Sequence, residues 1–162
     1  MKTYVGTKVV YATPMNRAEY NEYRGWELPA NENGADEGYL VEYADGGRAN
    51  DSRHAGYISW SPKDVFERAY RATEDMTFGA AIEALKVGKK VARAGWNGKG
   101  MFLFLVPGST FKVNRPPLMG IYPEGTEINY CPHIDMKTAD GKVVPWLASQ
   151  TDVLAEDWAV VE

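Results

Sequence analysis

The chain has 162 residues, 44% of them hydrophobic, with a formal net charge of −4 and a pI near 5.3. It can bury a core as one domain or two small ones, and its acidity argues against a non-specific binder of DNA or RNA, which needs a basic face. One cysteine, Cys131, excludes an intramolecular disulfide and fits a reducing compartment, and with two histidines it is too little for a zinc site, so neither metal nor cofactor is expected.

The N-terminal "MKTYVGTKVV" lacks the apolar core of a signal peptide. Residues Tyr4 to Ala12 are β-rich and predict a first strand. Thr13-Pro14 then predicts a helix start, with Thr13 as cap and Pro14 at the first helical position, running to about Tyr23 and stopping at Gly25. "PANENGADEG" is a polar loop, "YLVEY" alternates as a strand, and "ADGGRANDSRHAG" carries turn chemistry before the short strand "YISW". In "SPKDVFERAY", Ser61 caps a helix, Pro62 opens it, and Val65, Phe66 and Ala69 share one face. The polar stretch "RATED", Arg71 to Asp75, separates two differently charged halves. Residues 1–75 carry 9 basic and 13 acidic side chains, residues 76–162 carry 9 of each. A domain boundary is expected there, giving units 1–75 and 76–162.

The second half opens with the helix "TFGAAIEALKVG", whose Phe78, Ala81, Ile82 and Leu85 share a face and whose end is marked by Gly88 and three lysines. "KVARAG" is a short strand leading into the loop Gly95-Trp-Asn-Gly98-Lys99-Gly100. "MFLFLV" is apolar on both faces, which predicts a central strand or a subunit interface. With Pro107 it is the longest apolar run, far short of the roughly 20 residues that span a membrane. The Pro-rich passage from Pro107 to Gly125 exceeds ordinary loop length and points to function or partner contact. "INYCPHIDMKTADGKVVPWLAS" reads as a hairpin turning at Asp140-Gly141. Thr151 or Asp152 is expected to cap a single helical turn, and "WAVVE" closes the chain as a strand. The fold class is α+β: two small domains, each a mainly antiparallel sheet with one or two packed helices.

The Gly-Lys step of the 95–100 loop invites comparison with a Walker loop, which needs four residues between its glycines and Ser or Thr after the lysine. Here two residues separate Gly95 from Gly98, and Gly100 follows Lys99. Cys131 and His133 flank Pro132 without the third group that orients a nucleophilic pair. Asp152, Glu156 and Asp157 read more simply as cap and turn residues than as an acid–base set. No catalytic residue is therefore assigned. A ligand-gripping reading survives. Trp96 sits on a turn, Asn97 offers donor and acceptor, Arg93 and Lys99 suit phosphates, and Trp146 lies just before Ser149, Gln150 and Asp152. Such a set suits a small, anionic, aromatic-bearing molecule, a nucleotide. A purely structural role for the tryptophans stands beside it.

The stretch "MTFGAAIEALKVGKKVARAGWNGKGMFLFLVPGSTF", with "PHIDMKTADGKVVPWLASQTDVLAEDWAVVE", resembles the second Thoeris anti-defence family of phage proteins over residues 76–162. The resemblance implies a sponge rather than an enzyme. Members sequester, without cleaving, the glyco-cyclic ADP-ribose isomers that TIR enzymes make, and so keep the Thoeris effector off in the host cell cytoplasm. Some also capture cyclic dinucleotides of CBASS immunity. It further implies a homotetramer with ligand sites between protomers, no DNA, RNA or membrane partner, and ligand contacts by Trp96 and Trp146. Asn97, Lys99, Arg93, Ser149, Gln150 and Asp152 join the ligand-binding set by proximity. Residues 1–75 lie outside the resemblance and look like a small phage module of unknown role. The alternative is a structural or interaction protein of the phage with no small-molecule ligand.

Overall fold

A computed structural model describes every residue except Val5, and the part of the expected first strand that falls on Val5 lies outside the described residues. The chain divides into two compact units, Met1–Arg71 and Ala72–Glu162. Both are α+β with antiparallel sheets.

In the first unit β1 (Val10–Pro14), β2 (Gly38–Tyr43) and β3 (Tyr57–Pro62) form one antiparallel sheet in that order. The first strand lies later than Tyr4–Ala12, because Thr13 and Pro14 pair with Leu40 and Tyr39 and so cannot open a helix. Helix α1 (Arg17–Arg24) is capped instead by Asn16. Asn16 Oδ1 accepts from the Glu19 amide (2.9 Å), while the Glu19 carboxylate accepts from the Asn16 amide (2.8 Å). Gly25 ends the helix at φ 68°, a conformation that side-chain-bearing residues resist. Ser61 and Pro62 remain in β3, paired with Tyr39 and Gly38, so Ser61 caps nothing and α2 (Lys63–Ala69) starts one residue later without a side-chain cap. Register puts Leu40, Ile58 and Trp60 on one face, against Tyr20, Tyr23 and Met15. Tyr39 and Val41 lie on the other face, where Phe66 of α2 stacks on Tyr39 with ring centres 4.2 Å apart.

In the second unit Thr77 caps α3 (Phe78–Lys86), its hydroxyl accepting from the Ala80 amide (3.3 Å). There follow β4 (Lys90–Arg93), β5 (Phe102–Val106), β6 (Ser109–Lys112), β7 (Glu127–Tyr130), β8 (His133–Lys137), β9 (Val143–Pro145), α4 (Gln150–Val153) and β10 (Trp158–Val161). Five strands form an antiparallel sheet in the order β10-β4-β5-β8-β9, so the apolar run is its central strand. The Pro-rich passage is not structureless. β6 and β7 pair as a separate hairpin that closes it at the base. Alternation along the strands directs Val91, Leu103 and Trp158 toward Ala81 and Leu85 of α3, and with Met76 these six form the core. Phe102, Phe104 and Val106 project from the opposite face and stay half-buried.

Candidate ligand site

The site grows from the ends of β4 and β10 and from α4. Arg93 stands opposite Trp158 in the β4–β10 pair, which sends both side chains to the core side of the sheet. Trp158 is fully buried. Two half-buried tryptophans lean on it almost at right angles. The Trp96 ring centre lies 5.4 Å away at 78°, and the Trp146 centre 6.0 Å away at 83°. Phe78 of α3 completes the aromatic corner, 5.4 Å from Trp158 and 6.0 Å from Trp146. Edge-to-face contacts of this kind contribute beyond the area they bury and fix ring orientation.

One buried carboxylate ties the corner together. Asp152 Oδ1 accepts from Arg93 Nη1 (2.9 Å) and from Trp96 Nε1 (3.1 Å). Its Oδ2 accepts from the Ser149 hydroxyl (2.6 Å) and the Ser149 amide (3.2 Å). The Asp152 carbonyl accepts from Trp158 Nε1 (3.0 Å). Ser149 is thus the cap of α4 and Asp152 its third residue, a reciprocal capping box, where the sequence suggests Thr151 or Asp152 as cap. Arg93 also binds Asp157, Nε to Oδ1 at 2.8 Å, and Asp157 Oδ2 accepts from the Gly95 amide (2.7 Å). The 95–100 loop is therefore fastened at both ends of this network.

Burial pushes the Asp152 carboxyl up, but the hydrogen bonds from Ser149, Arg93 and Trp96 outweigh it and hold the group at about 2. Arg93 holds Asp157 below the usual carboxylate range, and Asp157 and then Asp152 raise Arg93 in turn. All three groups are charged at neutral pH.

The eight sequence-predicted residues fall into three sets. Arg93, Ser149 and Asp152 bond to one another or to Asp157. Trp96 shares that network through its indole N–H, while its ring and that of Trp146 remain half-exposed. Asn97, Lys99 and Gln150 are exposed, and among the described residues their side chains make no hydrogen bond or ion pair. Gly95 and Gly98 leave no room for a side chain. A side-chain carbon at Gly98 would sit 2.1 Å from Met101 Sδ, and one at Gly95 would sit 2.8 Å from Asp157 Oδ2. These two positions let the loop fold onto its own support. Asp157, Trp158 and Phe78 are the residues that sequence reasoning missed as parts of the site. Asp157 lies 64 positions from Arg93, and only the β4–β10 pairing brings them together.

Elsewhere, His133 Nδ1 meets the Cys131 carbonyl (3.1 Å) rather than its thiol. A groove of about 820 Å³ beside the β6–β7 hairpin contains none of the eight residues. Among the described residues, no helix is long and apolar enough to cross a membrane, and no group of three or more His, Cys, Asp or Glu residues is placed to hold a metal.

Residues 76–161 match the model of the Tad2-like family, the Thoeris anti-defense 2-like domain. The chain belongs to this family. Over 86 residues it is 48% identical to Thoeris anti-defense 2 of Bacillus phage SP01, an alignment that covers 53% of this chain and 94% of that protein. Membership places the chain among anti-defence proteins directed at Thoeris immunity. The matched span begins at Met76, whose amide donates to the Trp158 carbonyl (2.7 Å) at the edge of the sheet that carries the site.

Proposed function

We propose that this protein acts as a sponge. It binds cyclic nucleotide immune signals, the glyco-cyclic ADP-ribose isomers of TIR enzymes first and cyclic dinucleotides of CBASS second, and holds them without cleavage in the host cell cytoplasm. The observation that carries the reading is the pair of half-exposed indoles, Trp96 and Trp146, both braced on the buried Trp158 and flanked by the unpaired Asn97, Lys99 and Gln150. Braced rings offer stacking faces worth about 1–3 kcal/mol per base, and Lys99 suits a phosphate. The acting form is a homotetramer with ligand sites between protomers. The half-buried Phe102, Phe104 and Val106 on the sheet face away from α3 support contact with a second copy.

A second reading has an observation of its own. Both Trp96 and Trp146 also pack on the core cluster, as they would in a phage structural or interaction protein. Titration calorimetry with a panel of cyclic ADP-ribose isomers and cyclic dinucleotides, followed by heat release and mass spectrometry, separates the two. The sponge releases its ligand unchanged. Trp96→Ala and Trp146→Ala each weaken binding by about 10- to 100-fold and leave a cooperative melt. A cleaved product would overturn sequestration, and variants that lose the fold with no nucleotide bound by the parent would favour the structural reading.

A further inference from the structure

We propose that Asp152 is a positioning residue of the ligand site, one that fixes the Trp96 indole and does not itself touch the ligand. The inference rests on the binding reading above but reverses the role that residue order suggests for Asp152. A carboxylate offers about four acceptor positions. Here Arg93 Nη1 and Trp96 Nε1 take those on Oδ1, and the Ser149 amide and hydroxyl take those on Oδ2. The side chain is 12% exposed, so neither a free lone pair nor an open approach is left for a ligand hydroxyl.

The same count applies to Arg93. Its guanidinium is held by Asp152 and Asp157 and is 17% exposed, which leaves Lys99 as the cation of the set that can meet a phosphate. What Asp152 supplies is geometry. An edge-on contact with Trp158 restricts the tilt of the Trp96 ring, and the bond from Nε1 to Oδ1 fixes its rotation in that contact. A ring held this way loses less freedom when a base stacks on it, which tightens binding without a new contact. The Asp152 carbonyl holds Trp158, the brace for both half-buried rings, by the same logic.

A double-mutant cycle tests this. Asp152→Ala removes both carboxylate oxygens, and with them the acceptor for Trp96 Nε1 and the charge opposite Arg93. Trp96→Phe keeps an aromatic face and deletes the N–H that Asp152 receives. Affinity for a glyco-cyclic ADP-ribose isomer is measured by calorimetry on all four proteins, and the near-ultraviolet circular dichroism of the ligand-free forms is compared. Each single variant loses roughly tenfold, and the double variant loses about as much as one of them, because both break the same linkage. The tryptophan band changes with Asp152→Ala in the parent and stays unchanged in the Trp96→Phe background. Should Asp152→Ala melt below the assay temperature, Ser149→Ala takes its corner of the cycle, with a loss of about threefold that vanishes beside Trp96→Phe. Losses that multiply, or a band change that persists without Trp96, would overturn the proposal. If the parent protein binds no nucleotide, the sponge reading fails, and the ligand-free spectra still decide whether Asp152 positions Trp96.

Discussion

In the first unit a three-stranded sheet is covered on both faces, by Tyr20 and Tyr23 of α1 on one side and by Phe66 of α2 on the other. In the second unit α3 covers one face of a five-stranded sheet, and the aromatic residues gather at its corner. Both units are rich in aromatics, but they complete them differently. Around the first sheet the rings satisfy one another. Tyr39, Phe66 and Tyr70 stack in a row, Trp60 Nε1 donates to the Met15 carbonyl (2.9 Å), and the Arg17 guanidinium lies over the Trp60 ring. At the second sheet the indole N–H groups of Trp96 and Trp158 converge on one residue, Asp152, while neighbouring polar side chains stay unpaired. Aromatic content does not mark a binding site. The proposed ligand site is set apart by braced, half-buried rings beside unpaired polar groups.

The strongest way to break that contrast is to remove the brace. Trp158 is fully buried and touches Phe78, Trp96 and Trp146. Trp158→Ala opens a large cavity and leaves the Asp152 carbonyl without its donor. We expect a loss of about 3–5 kcal/mol from the second unit, read as a lower urea midpoint of its near-ultraviolet signal. A loss below about 1 kcal/mol would mean that the corner is a surface feature and not part of the core.

Acid probes the carboxylates beneath the brace. Asp152 is held at about 2 and Asp157 below its ordinary range, so both bind fewer protons folded than unfolded. Their contribution is complete above roughly pH 5 and is lost as pH falls through 4 toward 2. For Asp152 it is on the order of 2 kcal/mol at neutral pH. Urea midpoints of the parent and of Asp152→Asn should therefore differ most at pH 7, narrow steadily below about pH 4, and converge only below about pH 2. A gap that stays constant with pH would remove the electrostatic part of the explanation.

Local signals were legible where a turn or a period decides the element. The strand in "YLVEY", the shared face of Phe78, Ala81 and Leu85, and the Asp140-Gly141 turn each hold in the structure, although helices on both sides bury Leu40 and Val41 alike and erase the alternation. Helix starts were not legible where strand pairing competes. Thr13-Pro14 and Ser61-Pro62 both carry good N-terminal chemistry, yet both are drawn into ladders by their partners on β2. At the site, the tryptophans and the unpaired Asn97, Lys99 and Gln150 could be read from composition beside a turn. The ion pairs of Arg93 could not, because Asp152 and Asp157 reach it only after β10 has paired with β4. A cation near a tryptophan reads as a ligand contact until its partners across the sheet are known.

The smallest expected effect sharpens the contrast from the other side. Ile58 is 1% exposed and belongs with Leu40 and Tyr20 to the core of the first unit. Ile58→Val removes one methylene from a packed site and should cost about 0.5–1.5 kcal/mol, seen as a shift of the first unit's melting signal. Nothing in the Trp96–Asp152 network depends on that side chain, so affinity for a cyclic ADP-ribose isomer should stay within a factor of two of the parent, roughly the scatter of additivity between independent sites. An affinity that falls in step with the lost stability would mean that the first unit helps to shape the ligand site, and the contrast between the units would then have to be redrawn as a division of labour within one site.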